Sequence, residues 1–109
     1  MLYILSAQIV PLPEGARALV ELSPVTPEEA HNKMADCGFE SAVGHEGTAQ
    51  ALTELLGIPV PKNRLEVRLQ PGDEAIQFVL RARQPEGVVL DREAVEKIGY
   101  HLTMVRRIS

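Results

Sequence analysis

The stretch LYILSAQIV, residues 2–10, is apolar at almost every position and rich in β-forming side chains. A strand with one wet face alternates apolar and polar residues, so a nearly unbroken run suits a strand covered on both faces. No basic residues precede the run and PLPEG closes it, so it lacks the form of a signal peptide or a membrane span. A chain of 109 residues is one domain, 1–109, and the absence of tryptophan leaves aliphatic side chains to fill its core.

The remaining segments supply the rest of a sheet and its cover. ARALVEL (17–23) reads as a second strand. In SPVTPEEAHNKMADCG, Thr26 and Glu29 have capping-box spacing with Pro27 at the first helical position. Ala30, Met34 and Cys37 then form the inward stripe, and Gly38 is the stop. A second helix is expected from His45 to Leu56, with Ala49, Leu52, Leu55 and Leu56 on one side and Gly57 and Pro59 after it.

NRLEVRLQ (63–70) and EAIQFVLRAR (74–83) both alternate, and PGD between them is a turn, so the pair reads as an antiparallel hairpin. QPEG (84–87) is a loop, DREAVEKI (91–98) a short helix capped by Asp91, and YHLTMVRRI (100–108) a last strand. The expected class is α/β: a mixed sheet of about five strands with helices on one face. The other face, carrying arginines and no helix, calls for a partner subunit.

Net charge is −4, so no global basic field draws in long DNA. Eight of the eleven basic residues are arginine, and Arg64, Arg68, Arg81, Arg83, Arg106 and Arg107 lie in strand-like or loop segments of the second half. If the hairpin pairs, Arg81 and Arg83 come near Arg64 and Arg68, a cluster suited to a small anionic ligand. The single cysteine excludes an internal disulfide and fits a reducing cytoplasm; its place on the helical stripe makes it a buried thiol.

His45 carries the sharpest chemical signal, in SAVGHEGT (41–48). A helix start presents unpaired N–H groups and a partial positive charge, which favour a phosphate, and an imidazolium there can act as a general acid. Thr48, one turn on, can bond the same oxygen. Glu86, between Pro85 and Gly87, sits where a carboxylate can close over a ligand. Read from spacing alone, each of these features also fits a plain cap, a solvated face or a turn. His31 and His101 have no partners at metal-ligand spacing, and no Gly-rich phosphate loop is present, so neither a metal nor a cofactor is expected.

Three stretches, ILSA (4–7), GFESAVGHEGTAQALTELLGIPVPKNRLEV (38–67) and RQPEGVVLDREAVEKI (83–98), resemble the small viral ring nucleases and their bacterial and phage relatives. These anti-CRISPR proteins were first known from archaeal viruses. The specific pieces are G-H-x-x-T opening a helix, then N-R, then R-x-x-E-G. The resemblance implies a homodimer that binds cyclic tetra-adenylate, the messenger of type III CRISPR systems, and cleaves it without a metal. It implies His45 and Glu86 as catalytic residues, with His45 protonating the departing 5′-oxygen. Ser6, Gln8, Gly44, Thr48, Arg64 and Arg83 would contact the ring. Ser6 stands where relatives often carry asparagine, and Gly47 where some carry serine. Two other functions compete with this one. One is a binder of the same ring that does not cut; the other is a small dimeric interaction or DNA-binding protein.

Overall fold

Thr26 starts the first helix with both halves of its capping box in place. Its hydroxyl accepts from the Glu29 amide at 3.1 Å, and the Glu29 carboxylate accepts from the Thr26 amide at 3.0 Å. The computed structural model in which this is seen describes residues 1–6, 10–81 and 91–109. Its elements are β1 (Leu2–Leu5), β2 (Val20–Pro24), α1 (Pro27–Cys37), β3 (Glu40–Ser41), α2 (Glu46–Leu56), β4 (Glu74–Leu80), α3 (Arg92–Ile98) and β5 (Tyr100–Arg107). Asp91 caps α3, accepting from the Ala94 amide at 2.8 Å. Among the described residues no helix is long and apolar enough to cross a membrane.

The strands form one mixed sheet in the order β2-β5-β4-β1-β3. β1 lies parallel to β3 and β4, while β5 is antiparallel to β4 and β2. Alternation along the strands sends Leu2 and Ile4, Ile76 and Phe78, and Leu102 to one face. There they meet Ala30 and Met34 of α1, Ala49, Leu52, Leu55 and Leu56 of α2, and Val95 of α3. Each large side chain buried there contributes about 1.5–3 kcal/mol relative to exposure. Phe78 and Tyr100 stack at the end of this core with ring centroids 5.9 Å apart. The mixed sheet with helices on one face is thus as the sequence predicts.

The other face departs from expectation. Residues 63–70 form no strand, and β4 takes β1 and β5 as its neighbours, so the predicted hairpin does not exist. The PGD turn is real, with Gly72 at φ 91, but it joins an extended segment to the sheet rather than two paired strands. The backbone of that segment finds scattered partners. Asn63 N donates to Val43 O at 2.8 Å and Leu69 N to Pro11 O at 2.8 Å. Extended chain alternates its side chains whether or not it sits in a ladder. Val67 and Leu69 therefore still point inward, onto Leu5, Ala75 and Val105.

This face is accordingly half covered by the chain itself, and not left open as expected. Arg107, buried, anchors the cover by donating to Leu69 O at 2.5 Å and to Arg17 O at 3.4 Å. Beyond the cover, Leu22, Gln77, Val79, His101 and Thr103 line an open depression of 440 Å³.

β1 ends at Leu5, well short of the apolar run, of which residues 7–9 lie outside the described residues. β3, two residues long, has no counterpart in the sequence reading. Cys37 is exposed, its Sγ donating to the Lys33 carbonyl at 3.0 Å, because the buried stripe of α1 stops at Met34.

Candidate functional site

The three mutually parallel strands β1, β3 and β4 all end at the same edge of the sheet. In open α/β sheets ligands bind at such carboxyl ends, where the chain leaves the ladder and side chains converge. Ser6 follows β1 there, Ala42 to His45 follow β3, and Arg81 follows β4. His45 is the residue preceding α2, with φ −124 and ψ 131. Its carbonyl accepts from Ala49 N at 3.0 Å, closing the first helical turn. Its side chain makes no capping hydrogen bond and is exposed. The imidazole is therefore left available beside the first-turn amides of α2, which by helix geometry lack intrahelical partners. Thr48, half-buried, is the third residue of that turn.

Arg64 comes to the same place from a distant part of the chain. A Cβ built on Gly44 would stand 3.5 Å from Arg64 Cγ, so the arginine stem lies along the glycine that precedes His45. Two residues to which the sequence alone assigns no role hold this arrangement. Ser41, buried, donates from Oγ to Pro61 O at 2.6 Å and accepts from Val43 N at 3.3 Å. Asn63 donates from Nδ2 to Ser41 O at 2.7 Å. The asparagine of the N-R pair was the available signal, but its partner lies 22 residues away. Nothing local discloses such a contact.

Ser6 opens onto a neighbouring depression of 240 Å³, walled by Leu5, Pro11, Ala42, Leu65 and Val67, with Glu66 and Arg68 also lining it. Leu65 follows Arg64 in the chain, but none of Gly44, His45, Thr48 and Arg64 lines this hollow. Gln8, Arg83 and Glu86 lie outside the described residues, as does the predicted loop 84–87.

The remaining arginines do not gather. Arg68 pairs with Glu66 and donates to Val67 O at 2.9 Å. Arg81 packs over Gly99, where a Cβ would come within 2.8 Å of its Cδ. Arg107 is spent on backbone carbonyls. With the hairpin gone, the pairing that would have brought Arg64, Arg68 and Arg81 together is gone too. Among the described residues, Arg64 is the arginine placed against the His45 segment.

No group of three or more His, Cys, Asp and Glu side chains that could hold a metal ion occurs among the described residues. Two tyrosine hydroxyls are held above their ordinary value. Burial, then the charges of Asp73 and Glu40, raises the Tyr3 hydroxyl. Burial, then Glu96, raises that of Tyr100, against a smaller opposing effect of Arg92.

The profile of the STIV B116-like family matches residues 2–102. The chain belongs to that family. It is 38% identical to uncharacterized protein 26 of Sulfolobus islandicus filamentous virus (isolate Iceland/Hveragerdi) over 110 residues, covering 100% of this chain and 93% of the viral protein. It is 41% identical over 112 residues to uncharacterized protein ORF117 of Acidianus two-tailed virus, covering 100% and 95%. A bacterial relative, uncharacterized protein YddF of Bacillus subtilis (strain 168), shares 38% identity over 77 residues, 71% of each chain. The solved structure of B116 of Sulfolobus turreted icosahedral virus superposes with a TM-score of 0.79 over 96% of this chain and 97% of that one. At 22% identity, that likeness speaks for the fold.

Proposed function

We propose that this protein is a metal-independent ring nuclease that cleaves cyclic tetra-adenylate and so switches off type III CRISPR signalling. The observation that carries the reading is the exposed His45 imidazole at the start of α2, unused as a cap and flanked by Arg64 along Gly44. In the proposed reaction a 2′-oxygen of the ring attacks the adjacent phosphorus and the bond from phosphorus to the 5′-oxygen breaks. The 2′-hydroxyl proton passes to water, and His45, as the imidazolium, gives its proton to the departing oxygen. The products are linear di-adenylates ending in 2′,3′-cyclic phosphates.

The substrate brings its own nucleophile, so the protein's task reduces to alignment and one proton. Arg64 and the first-turn amides of α2 suit the phosphate's charge. Ser6, Gly44 and Thr48 stand round the same edge and contact the ring, joined in the full site by Gln8, Arg83 and Glu86, the last as the second catalytic residue. A two-fold ring suits a two-fold homodimer, each copy supplying one histidine. The exposed Leu22, on the part of the sheet that residues 63–70 leave open, supports association.

The test is chemical. The purified protein is incubated with cyclic tetra-adenylate in excess EDTA, and the products are resolved by mass. Di-adenylates with cyclic phosphate ends are expected. Tight binding with an intact ring would replace the nuclease by a non-cleaving binder, and no binding would remove the ligand altogether.

A further inference from the structure

We propose that Asn63 is a positioning residue for the His45 site, an inference that rests on the nuclease reading. The connection carrying His45 leaves β3, an edge strand only two residues long and paired on one side alone, with β1. So short an anchor gives little protection against local opening. What secures it is a clasp to residues 61–63. Asn63 contributes twice, donating from its amide nitrogen to Val43 O at 2.8 Å and from its side chain to Ser41 O at 2.7 Å. Ser41 Oγ adds a bond back to Pro61 O at 2.6 Å. Three bonds thus join the two segments, and one residue makes two of them.

The clasp sits between two groups that must act together. Two residues after Val43 comes His45; the next residue after Asn63 is Arg64, which lies along Gly44. The clasp therefore sets the acid and the cation relative to each other, and Asn63, which makes two of its three bonds, does so without touching the phosphate or the leaving oxygen. The geometry also explains the residue type. Ser41 O accepts, so the side chain must donate, and it must be short enough to reach the carbonyl while its own backbone bonds Val43. Aspartate has the same shape but would set a carboxylate against that carbonyl.

The test compares Asn63→Asp and Asn63→Ala with wild type, by cleavage kinetics and by amide hydrogen exchange. Displacing an acid by about 1 Å can cost on the order of 100-fold in rate. The expected result is a fall in kcat of about 10- to 100-fold for both variants. KM for the ring changes less than kcat, and exchange quickens at the bonded amides of Ala42, Val43 and residue 63 but not in the interiors of the helices. A folded variant with wild-type kcat would overturn the inference and leave the nuclease reading standing. If wild type itself neither binds nor cuts the ring, that reading fails, and the positioning role that rests on it falls with it. Unchanged protection at Ala42, Val43 and residue 63 in both variants would overturn the clasp directly. So would global unfolding of both, since Asn63 would then hold the fold rather than the site.

Discussion

The two faces of the sheet are covered by different kinds of structure. On one face three helices present aliphatic stripes to Ile4, Ile76, Phe78 and Leu102, and between their ends their backbones are satisfied within the helices themselves. On the other, an extended segment lays Val67 and Leu69 over Leu5, Ala75 and Val105, while its backbone depends on partners elsewhere: Val43, Pro11 and Arg107. A helix carries its own hydrogen bonds to wherever its apolar face is needed. An irregular segment must find them in the rest of the fold. The second kind of cover is therefore joined to the first kind at specific points, and one of those points is the connection that carries His45.

Substitutions on the two faces test this difference. The largest effect is expected at Phe78, 1% exposed, where truncation to alanine opens a cavity in the helix-covered core. A loss of about 3–5 kcal/mol in urea unfolding follows. Leu69→Ala should cost about 2–4 kcal/mol, since Leu69 is wholly buried beneath a cover that is not regular structure. A cost near zero there would show that residues 63–70 merely rest on the sheet. Arg107→Met keeps bulk but removes the donors to Leu69 O and Arg17 O. With those carbonyls left unsatisfied, a loss of about 1–3 kcal/mol is expected, together with faster exchange in residues 63–70. Thr26→Ala, which breaks the α1 capping box, should cost about 1 kcal/mol, with exchange in residues 63–70 unchanged.

The smallest effect concerns pH. Folding raises the Tyr100 hydroxyl above its ordinary value of about 10, first through burial and then through Glu96. The unfolded chain therefore ionises first as pH rises. This contribution is complete below about pH 10 and fades as pH climbs through the folded value. Tyr100→Phe should flatten the alkaline decline in stability measured by urea titration, and a decline identical to wild type would remove Tyr100 as its source.

The same contrast explains what could be read in advance. Helices announce themselves locally: Thr26 with Glu29, Asp91, and the stripe from Ala49 to Leu56 lie within a few residues of what they explain. Sheet partners do not. Alternation in residues 63–70 marks extended chain and puts Leu65, Val67 and Leu69 on one side; Val67 and Leu69 do turn inward, while Leu65 is exposed. Yet the parallel register of Leu2 with Glu74 and Tyr3 with Ala75 is set by segments some 70 positions apart. β3 is too short to show any period. At the site, His45 was legible because a helix start is a local signal. Ser41 and Asn63 were not, because their meaning lies in contacts with Pro61, Val43 and each other. Cys37 misled because the helical stripe, extrapolated by one more turn, ran past the end of what the sheet covers.

The measurement that bears most directly on the nuclease reading is single-turnover cleavage of cyclic tetra-adenylate in EDTA by wild type and His45→Ala, with binding of the ring followed in parallel. Wild type is expected to cut, and His45→Ala to bind the ring comparably while losing about 100- to 10,000-fold in rate, the range of a general acid. An alanine variant that cuts as fast as wild type would contradict that reading.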